Sequence, residues 1–460
     1  MSKHLRVKPI NCFVVLFLFI LLFIPLKDNA SAAGFAIIEQ SVSGLGNAYA
    51  GGSAAAEDAT TLFYNPAGIT RIKDAQFIIG GHVIIPKAKF KNKGSTHVLQ
   101  GITGVGLRGN NGGDGGVTVY VPNFYYARPL TDRLYFGFAV NSPFGLSTEY
   151  DKDWVGRYHA IKSDMLTINI NPSIAYKLTD RLSVAGGFNI QYLKAELSSA
   201  IDFGTLDAIG YFAPVIPAGA LGLTPQGSDG YVTLKGDSWG YGFNFGVLYE
   251  FNDSTRMGIS YRSRITHRVK GDADFSDVPA GLSALPVFKD TNASAKIILP
   301  DTFSVGFYHL LTPALALMAD VTLTRWSVLD ELRFQFDNPN QPDSVTTTRW
   351  GDSFRYSLGM SYYASKELTL RTGIAYDETP IKEARYRTPR IPDGDRLWLA
   401  VGLGYSPGKH FTIDLGYAHL FVNDPEIRKT PAGEDLLRGG LKGTFDANVN
   451  IISAQLTYRF

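Results

Sequence analysis

The sequence predicts an all-β fold, an antiparallel transmembrane β-barrel of about fourteen strands with an N-terminal plug of short helices in its lumen. Three observations carry this expectation. The chain opens on an export leader and closes on an amphipathic strand. Between them, period-two alternation recurs, with no apolar run long enough for a membrane helix.

Lys3, Arg6 and Lys8 precede an apolar run from Phe13 to Ile24, and Ala30-Ser31-Ala32 supplies a small-x-small cleavage site. Residues 1–32 are therefore read as a secretory signal peptide. The apolar run is shorter than the roughly 20 residues that cross a bilayer as a helix. The sole cysteine, Cys12, leaves with the leader, so the mature chain can form no internal disulfide.

At the other end, Ile452, Ala454, Leu456, Tyr458 and Phe460 share one face, and Ile451, Ser453, Gln455, Thr457 and Arg459 the other. A final strand of this kind, ending on Phe, is similar to the C-terminal strand that the barrel-assembly machinery receives in outer-membrane barrels. Other segments alternate in the same way, among them 182–192, 354–362, 368–376 and 411–418. Membrane backbone that is not helical must close on itself, so such strands imply a barrel rather than an open sheet.

Composition narrows the function. Of 44 basic and 42 acidic residues, the leader takes four basic (Lys3, Arg6, Lys8, Lys27) and one acidic (Asp28), leaving a mature chain with one acidic residue in excess. No concentrated basic stretch points to nucleic acid. The histidines from His82 to His419 are scattered without metal-ligand spacing, and no catalytic set stands out. We expect no enzyme, no metal and no cofactor. Inward charges such as Asp320, Arg262, Arg264, Arg355 and Arg371 are read as stabilising the lumen.

Short turns alternate with long connections. Leu130-Thr131-Asp132-Arg133-Leu134 recurs as Leu178-Thr179-Asp180-Arg181-Leu182, while 91–116, 199–236, 271–292, 337–350 and 425–445 are long. Short turns belong to the periplasmic side and long loops to the outside. A barrel this wide cannot be filled by its own wall side chains. Residues 33–74 precede the first strand (Ala75 to Phe90), lack alternation and carry Phe35, Ile37, Ile38, Leu62 and Phe63, so they are the expected plug; a solvated tail would not need these residues. Residues 75–460 are the expected barrel.

The order of certain pieces is specific. Ala33-Gly34-Phe35, Ser43-Gly44-Leu45-Gly46-Asn47-Ala48-Tyr49-Ala50-Gly51, Glu57-Asp58-Ala59 and Asn65-Pro66-Ala67 follow the leader. Pro143-Phe144-Gly145-Leu146, Tyr261-Arg262-Ser263, Leu299-Pro300-Asp301 and Ile391-Pro392-Asp393-Gly394-Asp395-Arg396 come later. Across the mature chain this set resembles the FadL-like long-chain fatty-acid transport family of the outer membrane, one branch of which is linked to aromatic hydrocarbons.

The resemblance implies a monomeric transporter for hydrophobic small molecules, and no ATP-binding loop is visible in the sequence, so transport should be passive. The resemblance makes residues 33–74 a hatch, with Asn65, Pro66 and Ala67 near its contact with the wall. It kinks the third strand, here Arg133 to about Thr148, and opens a sideways gap at Pro143, Phe144 and Gly145 through which ligand passes into the membrane. Proline donates no ladder bond, which independently suits a break there; a strand simply ending at Pro143 is the plainer reading. Two loops would form an apolar capture groove, with Phe203, Tyr211 and Phe212 in 199–236 and Phe275 and Phe288 in 271–292. Mutual packing of the loops is the alternative. Gly34, Phe35 and Ile37 would line an inner pocket. Of two basic positions near a ligand carboxylate, Arg333 matches one, and Leu197 stands at the other. That departure leaves neutral hydrocarbons open as substrates. A general porin is less favoured because of the plug and the apolar loops.

Overall fold

The computed structural model describes residues 34–460. The expected leader and Ala33 lie outside the described residues.

The wall is built in chain order from β1 (Gln76–Asn92), β2 (Val119–Pro129), β3 (Leu134–Asn141), β4 (Gly145–Glu149), β5 (Lys162–Lys177), β6 (Leu182–Asp202) and β7 (Asp229–Asn252). It continues through β8 (Thr255–Arg262), β9 (Ile265–Ser276), β10 (Thr291–Leu299), β11 (Thr302–Thr312), β12 (Leu315–Thr324) and β13 (Glu331–Phe336). It ends with β14 (Ser344–Thr347), β15 (Ser353–Tyr363), β16 (Leu368–Asp377), β17 (Arg396–Tyr405), β18 (Phe411–Val422), β19 (Glu426–Arg428) and β20 (Lys442–Arg459). Six passes are each broken in two, so these segments make a closed antiparallel barrel of 14 strands. Closure comes from β20. It pairs with β18 on one side and with β1 on the other, from Gln76↔Arg459 to Asn92↔Gly443.

Alternation sorts the wall as expected. On β7, Trp239, Tyr241, Phe243, Phe245, Val247, Tyr249 and Phe251 are exposed on the outside, while Gly240, Gly242, Asn244, Gly246 and Leu248 between them are buried. Large apolar side chains can stay exposed in a folded chain when the medium is lipid.

The lumen holds residues 34–74. Here lie α1 (Val42–Leu45), α2 (Thr61–Tyr64) and a 3-10 turn, Pro66–Arg71. Each is too short to persist alone, so caps and wall contacts hold them. The Ser41 side chain accepts from the Gly44 amide, and Asn65 accepts from the Ala67 amide with Pro66 at the first turn. Asn65 Nδ2 also donates to the Ser53 carbonyl at 2.7 Å and to the wall carbonyl of Val247 at 3.0 Å. Wall glycines make this docking possible. A Cβ on Gly246 would collide with Asn65, and one on Gly258 with the Ser53 carbonyl. Leu62, Ala67 and Ile69 pack fully buried against Ile78, Tyr125 and Ala139 of the wall.

Some boundaries differ from expectation. The first strand begins at Gln76 and reaches Asn92. The expected loop 199–236 shrinks to 203–228, because β6 and β7 stay paired up to Asp202↔Asp229. The expected loop 271–292 shrinks to 277–290. Hairpin ladders continue past the apolar band, where both faces turn polar and alternation no longer marks a strand. Loop 203–228 opens on a helix, α3 (Phe203–Ala208), capped by Asp202.

Candidate functional site: a broken wall strand latched by the hatch

The third pass stops at Asn141 and resumes at Gly145. The ladder between β2 and β3 ends at Phe124↔Val140, and β4 then pairs with β5 from Gly145↔Leu166. Between β2 residues 119–123 and the start of β4 no ladder is formed. The isolated bridge Gly116↔Thr148 closes the top. This is a sideways gap in the wall, and Pro143 sits at its centre.

Backbone groups freed by the break need partners, and the hatch supplies them. Ala36 bridges Phe144, Ile37 N–H donates to the Pro143 carbonyl at 2.9 Å, and Gly145 N–H donates to the Phe35 carbonyl at 3.1 Å. Gln40 completes the junction. Its Nε2 donates to the Ser142 carbonyl at 2.8 Å and its Oε1 accepts from the Ser142 amide at 3.3 Å. Thr167 Oγ1 accepts from Phe144 N–H and donates to its carbonyl. Residues 35–37 therefore take the place of a short strand and form a latch over the break.

Two cavities flank the latch. The first, about 530 Å3, is lined by Gly34, Phe35, Met165, Leu166 and Gly145 to Thr148, and reaches the β2 edge at Val119 to Val121. Tyr120 and Leu166 are exposed on the outer surface, so this cavity borders the gap. The second, about 110 Å3, lies deeper, against Ile38, Tyr49, Phe63, Phe144, Arg262, Asp320, Arg355 and Trp398. Ala36, Ile37, Glu39 and Arg396 line both, so the latch is the partition between them. Phe35 is wedged in an aromatic box, its ring 4.7 Å from Trp326, 5.8 Å from Trp350 and 6.1 Å from Phe144.

The electrostatics are uneven. Arg396 is paired with Asp393 at 2.6 Å and also donates to the Gly34 carbonyl. Arg355 donates to the Ala48 carbonyl. Arg262 reaches the Asn189 side chain at 2.6 Å and the Phe63 carbonyl at 2.9 Å, with its guanidinium over the Phe63 ring. Among the described residues no carboxylate forms an ion pair with Arg262. The buried indole N–H groups of Trp326 and Trp350 find no acceptor. Burial pushes the Glu39 carboxyl up to about 7, against which Arg396 and Arg355 pull down.

Outside, a third cavity of about 480 Å3 lies between the long loops, lined by Ile201, Leu206, Tyr211, Phe275, Phe288, Phe336, Leu436 and Leu437. Of the expected groove residues, Tyr211, Phe275 and Phe288 line it. Phe203 and Phe212 are buried beneath, with the Phe203 ring 5.1 Å from that of Phe288. Groove lining and mutual loop packing thus coexist.

Three expected placements need correction. Arg333 stands on β13, where its side chain is 42% exposed and held by Glu331 at 2.7 Å and Asp343 at 3.1 Å. It lines none of the three cavities. Leu197 faces Leu234 across the β6–β7 ladder, also away from them. Both sit on wall that extends above the apolar band, a height that strand alternation does not report. Arg264 does not face the lumen but is exposed, paired with Asp301 at 2.9 Å. The break between β8 and β9 resets the alternation there. Sequence reasoning does not find Gln40, Glu39, Arg396, Trp326 and Trp350 at the junction, because nothing local in the sequence joins residues so distant. No group of three or more metal-ligating side chains occurs among the described residues.

Comparison with known proteins fits this geometry. The chain is 33% identical over 404 residues to a long-chain fatty acid transport protein of Escherichia coli, covering 86% of this chain and 88% of that one. It is 31% identical over 450 residues to outer membrane protein P1 of Haemophilus influenzae, covering 94% and 96%. The crystal structure of a Pseudomonas aeruginosa FadL homologue superposes with a TM-score of 0.83 at 25% identity, over 93% of this chain and 100% of that one. The Pseudomonas putida toluene transporter TodX shares the fold, with a TM-score of 0.68 at 17% identity, over 94% and 99%. These relatives are transport and outer-membrane proteins rather than enzymes. Residues 25–460 match the family described as outer membrane protein transport protein (OMPP1/FadL/TodX), and the chain belongs to that family of bacterial outer-membrane barrels.

Proposed function

We propose that this protein admits hydrophobic compounds passively across the outer membrane, long-chain fatty acids foremost, and releases them sideways into the bilayer. Ligand is captured between the loops at Tyr211, Phe275 and Phe288. It passes to the cavities beside Gly34, Phe35 and Ile37, and leaves through the gap at Pro143, Phe144 and Gly145. The observation that carries the reading is the latch: one short segment closes a broken strand and separates the cavity behind it from the cavity at the gap. Retraction of residues 35–37 would join the two cavities and free the gap at once. Asn65, Pro66 and Ala67 anchor the remainder of the hatch, so the latch can move while the plug stays.

A ligand bearing an acceptor is favoured by Arg262, which lines the inner cavity and lacks a carboxylate partner. The aromatic box around Phe35 favours a second reading, a neutral aromatic hydrocarbon, which needs no counter-ion. Cysteines placed at Ala36 and Phe144 test the latch, since these residues face each other across the bridge. With the disulfide closed, oleate uptake by cells should fall to background and recover on reduction. Undiminished uptake through the locked protein would reject lateral release.

A further inference from the structure

The outer wall carries a basic patch away from the proposed transport path. On the lipid face of β7 the apolar ladder runs from Phe251 up to Trp239, and the next outward residue is Asp237. Twelve residues at ~3.3 Å rise, tilted ~40°, climb ~30 Å, about the height of the hydrocarbon layer. Trp239 and Tyr241, 54% and 63% exposed, therefore lie where aromatic side chains meet head groups. The short Asn252–Ser254 end is periplasmic, so this rim belongs to the outer leaflet.

Cations crowd that rim. Asp237 stands opposite Lys194 on β6 and Lys270 on β9, so one carboxylate faces two ammonium groups. Arg268 stands directly opposite Lys296 on β10, and both are exposed. Like charges directly opposed across strands destabilise a sheet. Among the described residues, neither Arg268 nor Lys296 forms an ion pair that would relieve the clash. Nearby, Arg264 and Arg325 share the single carboxylate of Asp301 at 2.9 and 3.5 Å while remaining 44% and 51% exposed. The patch thus has an excess of fixed positive charge at head-group height, directly above a row of apolar rings.

We propose that this face binds a phosphorylated glycolipid of the outer leaflet. Its phosphates would bridge Arg268 and Lys296, with Lys270 and Lys194 beside them. A second phosphate would reach Arg264 and Arg325, and the acyl chains would lie along Phe243 and Phe245. A bridging phosphate turns the opposed pair from a repulsion into two charge-assisted hydrogen bonds. Two separated cation groups fit a head group with more than one phosphate.

The test uses the full chain in detergent, with bis-phosphorylated lipid A, its dephosphorylated form and inorganic phosphate as probes in native mass spectrometry. Wild type should retain the bis-phosphorylated lipid, while R268Q/K296Q loses about tenfold of that population, with unchanged heat-modifiable gel mobility as the sign of an intact barrel. If the double variant fails to fold, Lys296→Gln alone should still lower retention about threefold. Retention unchanged in both variants, equal retention of the dephosphorylated lipid, or displacement of lipid A by millimolar inorganic phosphate would each overturn the proposal.

Discussion

The Ile37 amide donates to the Pro143 carbonyl across 2.9 Å, and this bond joins the plug to the broken third pass of the wall. Residue 143 lacks an N–H for the ladder, and its carbonyl is taken by a residue that precedes the barrel in sequence.

Gln40→Ala should loosen the latch without opening the barrel. Gln40 is fully buried and satisfies both backbone groups of Ser142. Leaving them unpaired costs about 1–3 kcal/mol. Hydrogen exchange at residues 35–40 and 142–145 should speed up about ten- to hundredfold, while the other strands keep their protection.

Asn65→Ala should loosen the hatch as a whole. It removes the cap on Ala67 and both donations, to Ser53 and to Val247. A lost cap costs about 0.5–2 kcal/mol, and the buried carbonyls left behind add to it. Planar-bilayer recordings should show a raised ion conductance, with the variant still inserted as a barrel; a conductance equal to wild type would mean that Asn65 does not hold the plug.

Arg262→Met separates the two substrate readings. If Arg262 meets a ligand carboxylate, losing a charged hydrogen bond of about 1.5–3 kcal/mol weakens fatty-acid binding roughly ten- to hundredfold. Binding of a neutral hydrocarbon should change little. Equal loss for both ligands would reduce Arg262 to a lumen support.

Glu39 gives the site a pH dependence. Its carboxyl lies at about 7 in the folded protein against an ordinary 4.5, because burial disfavours the charge. Arg396, Arg355 and Asp377 are the charged groups that act on it from β15, β16 and β17. The folded state holds the proton more tightly than the unfolded one. Stability therefore falls as pH rises from about 4.5 to about 7 and is level above. Glu39→Gln should flatten that part of the thermal-stability profile, so the difference between wild type and variant is the quantity to measure.

In the loops, Phe203→Ala and Tyr211→Ala should behave differently. Phe203 is fully buried in the loop core, and truncation there costs about 3–5 kcal/mol. Tyr211 lines the groove, so its loss should slow ligand capture while loop protease resistance stays at the wild-type level.

The sequence by itself determined the barrel. Alternation on 182–192, 354–362, 368–376 and 411–418 survives as paired strands, because one face must meet lipid and the other must not. Pro143 cannot donate to a ladder wherever it stands, but that the strand resumes at Gly145 rather than ending there is decided by the fold. The sequence located Phe35 and Ile37 as apolar residues that a solvated tail would not carry. What only the tertiary structure decided is which distant groups meet. Gln40 finds Ser142, Phe35 finds Trp326 and Trp350, and Asn65 finds Val247, each through side-chain contacts with no periodicity along the chain. The same holds for height. Arg333 and Arg262 look alike in sequence, yet strand length and register lift Arg333 into solvent and hold Arg262 beside the cavity. Alternation fixes the face a side chain takes, and only closure of the barrel fixes its depth and its neighbours.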